Sequence, residues 1–147
     1  MTRDTRLTGI VGHWSQITIE IYSAKMFHNE LDAWKESIKL VKKIYILSSK
    51  FPSSEQFGLT SQIRRAVVSI PSNIAEGCGR NSDKELIRFC WIAMGSLSEV
   101  ETQLIIAKDL GFLESNDDVL LDIRRVRKIL SGFINYLQSK QTTCDNK

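Results

Sequence analysis

The sequence predicts an all-α fold, an antiparallel up-down-up-down four-helix bundle, and three observations support this prediction. Apolar residues recur at steps of three and four along four separate stretches, which is the spacing of amphipathic helices. Only two prolines and eight glycines interrupt the 147 residues, so long helices can form. The segments between the stretches are short, roughly five to nine residues, so consecutive helices are expected to pack side by side in opposite directions.

Both ends of the chain lack the helical pattern. Residues 1–28 show no apolar stripe, although QITIEIY alternates like a short strand without a partner, so they are predicted to form a poorly ordered N-terminal extension. Residues 140–147 are polar and are predicted to form a disordered tail. The bundle is therefore assigned to residues 29–139.

The first two predicted helices are separated by one proline, and the second contains another. The first helix runs from about Asn29 to Ser49 and ends before Pro52, since the residue before a proline avoids the helical conformation. The second runs from about Gly58 to Glu76, and its apolar stripe stays in phase across Pro71, which predicts one helix kinked at Pro71. Gly77 is expected to end it in a left-handed conformation. The core stripe proposed for the first helix consists of Leu31, Trp34, Ile38, Val41 and Tyr45.

The third and fourth predicted helices have clear starts. Ser82 followed by Glu85 forms a capping box, in which each side chain binds a free backbone N–H of the first turn. Gly111 is expected to end the third helix. The fourth starts near Asn116 or Asp117, where carboxylates suit the positive helix end, and continues to about Gln138.

Composition and charge limit the possible functions. Hydrophobic residues make up 42% and charged residues 25%, which is typical of a globular domain with one core. The formal net charge of +3 permits a nucleic-acid or acidic partner without requiring one. No apolar run approaches the roughly 20 residues that span a membrane, so no membrane partner is expected.

The cysteine and histidine pattern predicts neither a metal site nor a cofactor. Cys78, Cys90 and Cys144 are widely spaced, no CxxC pair occurs, and His13 and His28 lie far from them in sequence. An odd number of scattered cysteines suits a reducing compartment, so a cytoplasmic location is expected.

The third and fourth helices carry more apolar residues than one bundle needs. A helix that is apolar on two sides usually buries its second side against another copy, so a homo-oligomer is expected; wide helix faces in a monomer are the alternative. The residues outside the main stripes are Phe89, Trp91, Ile92, Ile105 and Ile106 on the third helix and Leu120, Leu121, Ile129 and Ile134 on the fourth.

Two rows of polar residues predict a structural network between the second and third helices. If the rows face each other, Arg65 can pair with Glu99, and Asn73 can bond across the bundle, which would fix the register of the helices. The alternative is an enzyme that uses Glu76 and Glu99, but the sequence lacks a helical histidine, a phosphate-binding glycine loop and an ExxH pair. A non-enzymatic protein is therefore favoured. The network residues are Gln62, Arg65, Asn73, Glu76, Ser96, Glu99 and Gln103, with Ser69 between them.

Two groups of basic residues are candidates for nucleic-acid binding, because the planar guanidinium group of arginine donates two hydrogen bonds to phosphate. Acidic residues lie nearby in sequence, so a solvated charged face is the alternative. No aromatic residue is interleaved for base stacking, which favours structured nucleic acid over single strands. The candidates are Arg64, Arg80, Lys84 and Arg88 around the second turn, and Arg124, Arg125, Arg127 and Lys128 on the fourth helix.

The segments GLTSQIRRAVVSIPSNIAEGCGR and IAMGSLSEVETQL resemble one family in particular. This is the family of bacterial four-helix bundle proteins, also described as 23S ribosomal RNA intervening-sequence proteins, and the resemblance extends from about Leu31 to Leu137. The N-terminal extension departs from the family pattern. The matching motif positions are Gln62, Arg64, Arg65, Asn73, Glu76, Gly77, Arg80, Gly95, Ser96, Glu99 and Gln103.

The resemblance implies a bundle that assembles as a ring, typically a homopentamer, and acts as a scaffold associated with RNA. Some members are encoded within insertions in 23S ribosomal RNA genes, and a related branch accompanies a reverse transcriptase. A protein-interaction hub, or an accessory of a polymerase or reverse transcriptase without direct RNA binding, remains the alternative. Gly95 and Ser96 are expected to let a neighbouring backbone approach closely.

Overall fold

The structure, a computed structural model, describes residues 27–144, with the backbone alone for 142–144. The predicted N-terminal extension up to residue 26 and residues 145–147 lie outside the described residues. The described part of the chain is all-α, with no strand, as the sequence predicts. After a 3-10 turn at His28–Glu30, its four helices are α1 (Asp32–Ser48), α2 (Leu59–Gly79), α3 (Asp83–Asp109) and α4 (Asp117–Cys144), with a second 3-10 turn at Ser53–Glu55 before α2.

The helices contact one another in a closed cycle. Neighbours in sequence pack together, α4 returns to α1, and the diagonal pairs α1–α3 and α2–α4 lie further apart. This arrangement is consistent with a four-helix bundle, while the up-down-up-down order stays a prediction. The largest fully buried side chains come from all four helices: Leu40, Ile44, Ile63, Val67, Ile70, Ile74, Leu97, Leu104, Ile123, Leu130, Ile134 and Leu137.

The core face of α1 differs from the predicted stripe. The buried residues are Ala33, Ser37, Leu40, Ile44 and Ser48. Ser37 and Ser48 can be buried because each hydroxyl donates a hydrogen bond to a carbonyl three residues earlier in the same helix. The predicted stripe is therefore displaced to the flank: its members Leu31, Trp34, Ile38 and Val41 are half-buried, and Tyr45 is exposed.

Helix α2 runs unbroken through the buried Pro71, so the prediction of one helix is confirmed, and its kink stays a prediction. The predicted stop at Gly77 is wrong, because α2 continues to Gly79 and Gly77 has no positive φ angle. A Cβ atom at Gly77 would lie 2.9 Å from both Leu86 Cδ1 and Phe89 Cβ. Close packing against α3, and not backbone conformation, is what requires glycine there.

The ends of α3 follow the sequence signals. Ser82 Oγ accepts a hydrogen bond from the Glu85 backbone N–H at 3.2 Å, as expected for the first half of a capping box. At the other end, Gly111 has a φ angle of 75°. The N–H groups of Gly111 and Phe112 donate to the carbonyls of Lys108 and Ala107, which is the Schellman pattern.

Helix α4 extends to Cys144, past the predicted end near Gln138, so residues 140–144 are helical where the sequence predicted a tail. Lys43 Nζ of α1 lies 2.5 Å from carboxylate oxygens of both Asp118 and Asp122 and links α1 to α4. Within the described residues, no helix combines the length and apolarity needed to cross a membrane.

We expect Gly77→Ala to destabilise the bundle relative to Gly132→Ala, a matched control. An added Cβ at Gly132 of α4 meets no atom within 4 Å. Both variants gain helix propensity, but only the first overpacks the α2–α3 contact, which typically costs about 1–3 kcal/mol. Urea unfolding at one protein concentration should show this difference in the free energy of unfolding. Equal stabilities would mean that α3 does not hold its position against Gly77.

Candidate nucleic-acid interface

The α2–α3 contact contains part of the predicted polar network. Ser69 Oγ of α2 and Ser96 Oγ of α3 lie 2.9 Å apart, so the two helices share a hydrogen bond. Asn73 Nδ2 donates to the Ser69 carbonyl at 2.8 Å and to Ser69 Oγ at 2.9 Å. Asn73 therefore does not bond across the bundle, and Ser69 makes the contact between helices in its place. Ser96 thus contacts α2 through its side chain, and the close approach of a neighbouring backbone expected there stays a prediction.

The predicted Arg65–Glu99 ion pair does not form among the described residues. Both side chains are exposed, and Glu99 instead accepts a hydrogen bond from Gln103 Nε2 at 3.2 Å within α3. The short serine side chains occupy the line of contact between the helices, so the two longer charged residues lie outside it. Gln62 is exposed, and Gln103 Oε1 is buried without a hydrogen-bond partner in the described range.

Glu76 and Glu99, the carboxylates of the enzyme alternative, are not brought together in a cavity. Glu76 forms an ion pair with Arg80 one turn later on the surface of α2. Neither lines the concavity described below. The geometry therefore offers no acid–base pair to support that alternative.

Half of the eight basic candidates are bound to carboxylates of the fold. Arg127 Nη2 lies 2.6 Å from Glu101 Oε2, and its Nη1 donates to Ser98 Oγ at 3.2 Å, so this arginine joins α4 to α3. Three more lie within ion-pair distance of an acid: Arg80 with Glu76, Arg88 with Glu85, and Arg125 with Asp122 and Glu36. Arg80 also lies over the ring of Phe89.

The other four, Arg64, Lys84, Arg124 and Lys128, have no ion pair with any described residue. Lys84, Arg124 and Lys128 are exposed, and the last two lie one turn apart on α4. Arg65, which the sequence placed in the polar network, likewise has no acidic partner in the described part of the chain. Exposed cations without a bound carboxylate keep their hydrogen-bond donors available to an anion.

Arg64 is held in place by the fold. Its Nε donates to Ser48 Oγ at 2.9 Å, and its guanidinium carbon lies 4.8 Å from the centre of the Tyr45 ring. Ser48 is buried at the end of α1, so Arg64 is anchored through a rigid part of the core. With Nε bound, the two terminal nitrogens of Arg64 remain for a ligand.

Arg64 and Arg65 line an open concavity of about 560 Å³ between the end of α1 and the start of α2. We call it the Arg64 concavity. None of the residues that line it is acidic. Its wall also includes Tyr45, Phe57 and Ser61. Two cations in a concave surface without a carboxylate create a local positive field that attracts anions.

Aromatic residues accompany these arginines in the fold, although none is interleaved with them in sequence. Tyr45 comes from α1, and Phe57 comes from the segment before α2, so neither is interleaved with Arg64 and Arg65 in sequence. The Phe57 side chain is 95% exposed. In the sequence, Phe57 lies among polar residues and next to Gly58 in a connecting segment, and this position was the available signal for an exposed aromatic ring. The preference for structured nucleic acid over single strands therefore stays a prediction, with an aromatic ring now placed beside the two arginines by the fold.

An apolar groove continues from this concavity along α1 and α2. It is lined by Trp34, Ile38 and Val41 of α1 and by Val68 and Pro71 of α2. Lys42 lies beside Val41 and Tyr45 at its edge. The displaced stripe of α1 therefore forms a surface feature. We call it the α1–α2 groove.

The surplus apolar residues divide between surface and interior. Trp91, Ile92, Ile105 and Ile106 of α3 are exposed, as is Leu121 of α4. Phe89, Leu120 and Ile129 are half-buried, and Ile134 is buried in the core. A Cβ atom at Gly95, on the exposed side of α3, would meet nothing within 4 Å, so no described residue makes the expected close approach at Gly95.

The described part of the chain gives no support for a metal site or for a reactive thiol. It contains no group of three or more residues that could hold a metal ion. Cys78 and Cys90 are buried free thiols, and burial raises the pKa of both, that of Cys90 to about 12. Thiolates are the reactive and metal-binding form, so both cysteines serve as small core residues.

These features define a small helical bundle that carries an acid-free arginine surface beside exposed apolar helix faces. Residues 29–132 match the family model of the 23S rRNA-intervening sequence protein, and the chain belongs to that family. Its fold is similar to the crystal structure of a protein of unknown function from the S23 ribosomal protein family of Bacteroides thetaiotaomicron. The TM-score is 0.64 at 22% identity, over 69% of this chain and 97% of that one. No curated protein matches the sequence.

A double-mutant cycle on Ser69 and Ser96 should measure the hydrogen bond that joins α2 to α3. Each single Ser→Ala change also alters helix propensity, but this effect cancels in the cycle. We expect the two residues to couple by about 0.5–1.5 kcal/mol in the free energy of urea unfolding, the usual net value of one such bond. A coupling near zero would show that the two hydroxyls do not bond to each other in solution.

Proposed function

We propose that this protein is a non-enzymatic, oligomeric scaffold that associates with RNA in the cytoplasm. The observation that carries the proposal is the Arg64 concavity, where two arginines share a surface without any carboxylate. The family description, which refers to intervening sequences of 23S rRNA, agrees with an RNA partner. Guanidinium groups are suited to phosphate because their planar donors can bond two oxygens at once.

The RNA-binding surface in this proposal consists of the cations that have no carboxylate partner among the described residues. Arg64 and Arg65 form its centre, and Lys84, Arg124 and Lys128 would add separate phosphate contacts elsewhere on the bundle, as exposed residues without a described acidic partner. Arg80, Arg88, Arg125 and Arg127 contribute less, because an ion-paired cation must release its carboxylate before it binds phosphate. Nonspecific affinity for RNA depends mainly on such phosphate contacts.

Assembly in this proposal uses the outer face of α3. Two pairs of large apolar residues are exposed on that helix: Trp91 with Ile92, and Ile105 with Ile106. Gly95, which has open space beside it, lies between the two pairs. Large apolar side chains that remain exposed on one face are a common mark of a subunit contact. We propose that this face packs on another copy of the bundle. Within each copy, the four helices run in up-down-up-down order, and α2 is kinked at Pro71. The homopentameric ring is the assembly that the family resemblance implies.

A protein partner is the second candidate function, because the α1–α2 groove is apolar and bordered by Lys42. Such a groove suits an amphipathic helix with acidic residues along its edge. In that case the protein would act as an interaction hub or as an accessory of a polymerase or reverse transcriptase. Affinity for such a partner would depend on apolar contact and would fall less with salt than affinity for RNA.

Binding of labelled RNA across a salt series tests the RNA-associated function. We expect the affinity of the wild-type protein to fall steeply with salt, and Arg65→Ala to reduce the slope of log K against log salt by roughly 0.7–0.9, the value for one lost phosphate contact. Arg65 is exposed and has no acidic partner among the described residues, so its removal should leave the fold intact. The control is Arg88→Ala, which removes an exposed arginine that already lies near Glu85. No binding at low salt would contradict the RNA-associated function.

Mass measurement by light scattering tests the assembly. We expect the wild-type protein to have a mass well above 16.8 kDa, and Ile106→Glu to lower it because a carboxylate would be buried in the subunit contact. The matched control Tyr136→Glu changes a residue of α4 that is slightly more exposed than Ile106 and should retain the wild-type mass. A wild-type mass of a single chain at all concentrations would contradict the oligomer.

A further inference from the structure

The Arg64 concavity combines a pair of arginines, a wall without acidic residues and an exposed aromatic ring. It contains two arginines without a carboxylate, and it is bordered by an aromatic ring that the fold does not use. At 95% exposure, Phe57 contributes almost nothing to the core. An exposed phenylalanine is unfavourable in water and gains free energy when another apolar surface covers it.

The two arginines indicate the charge of the missing ligand. Arg64 is preorganised by Ser48 and Tyr45, so its terminal nitrogens are presented without further loss of side-chain freedom. Arg65 follows directly and lines the same concavity. Two guanidinium groups on one concave surface match a phosphate group, which carries several acceptor oxygens.

The aromatic residue indicates the rest of the ligand. A phosphate alone would leave the Phe57 ring uncovered, whereas a nucleobase can stack on it. The volume of about 560 Å³ lies within the range of about 300–1,000 Å³ that is typical of small-ligand sites.

Polar groups at the wall can contact the edge of a base. Ser69 and Ser72 are occupied, because their hydroxyls bond Ser96 and the Val68 carbonyl. Gln56 and Ser61 also line the concavity, and their side chains have no hydrogen-bond partner in the described range. Both can donate and accept, which lets them bond a base without selecting one base strongly.

We propose that the Arg64 concavity binds one unpaired nucleotide, with its phosphate on Arg64 and Arg65 and its base stacked on Phe57. This inference rests on the proposed RNA-associated function and makes it specific, because it assigns unpaired rather than duplex RNA to this site. A free nucleotide has the same chemistry, so the experiment must separate the two sources. An acidic peptide would satisfy the arginines but would not require Phe57.

The experiment compares four probes on the full chain: AMP, UMP, a ten-nucleotide single-stranded RNA, and a blunt duplex of the same sequence. The variants are Phe57→Ala and Phe57→Trp, with Tyr136→Ala as the matched control. Tyr136 is exposed on α4, the helix diagonal to α2. Because Phe57 is almost fully exposed, its replacement should not affect folding, and circular dichroism checks this point.

We expect Phe57→Ala to weaken binding of single-stranded RNA by at least about fivefold, the lower limit for loss of one stacked base. Phe57→Trp should restore it, and Tyr136→Ala should bind like the wild type. Duplex RNA should bind equally to all variants. If AMP or UMP also binds and its binding depends on Phe57, free nucleotides are ligands of the concavity as well. If only binding of the single strand depends on Phe57, the ligand is a nucleotide of RNA.

The proposal is overturned if Phe57→Ala binds single-stranded RNA as tightly as the wild type while Arg65→Ala binds it more weakly. The RNA-associated function would then stand, and the concavity would serve as a phosphate contact only. It is also overturned if Phe57→Ala changes the mass of the assembly and leaves nucleotide binding unchanged, because Phe57 would then lie in a subunit contact. Absence of all RNA binding in the wild type would overturn the proposed function and this inference together.

Discussion

The close contact between α2 and α3 is the constraint on which the other features depend. Gly77 lets the backbone of α2 approach Leu86 and Phe89, and farther along the same pair of helices Ser69 meets Ser96 through a hydrogen bond. Two fixed points along one pair of helices set both their separation and their axial register. Hydroxyls that bond each other also avoid the loss of about 1–3 kcal/mol for a buried polar group left without a partner. A one-turn shift of α3 would break both contacts at once.

The orientation of α2 then determines what α1 can do. With one side of α2 committed to α3, Arg64 is turned towards α1, where it bonds Ser48 and lies over Tyr45. α1 adapts by placing small residues such as Ala33 and Ser37 against the core. Leu40 and Ile44 also enter the core, whereas Trp34, Ile38 and Val41 lie on the flank beside α2. The α1–α2 groove is formed by this flank, and the Arg64 concavity lies beside it where Arg64 meets Ser48 and Tyr45.

The sequence predicts the helices well because periodicity and end signals are local. The stripe of α3, the cap at Ser82 and the stop at Gly111 each depend on residues within a few positions of one another. The errors concern distances between helices. Ser37 and Ser48 occupy core positions of α1, so the sequence pattern placed the core face on the larger apolar residues beside them. Gly77 was predicted to end α2 because its packing against α3 cannot be read from neighbouring residues. That Phe57 and Arg64 line the same concavity likewise follows only from the fold.

The basic residues show why charge clusters in sequence are a poor guide to a binding surface. RRVRK is the densest basic run of the chain, yet Arg127 joins two helices and Arg125 lies near two acids. An arginine that neutralises an acid of its own fold contributes little net field to a ligand, because the two charges largely cancel at a distance. Arg64 and Arg65 are only two residues, but no carboxylate shares their concavity. The absence of a competing acid, which only the packed structure reveals, makes this pair the stronger candidate for contact with phosphate.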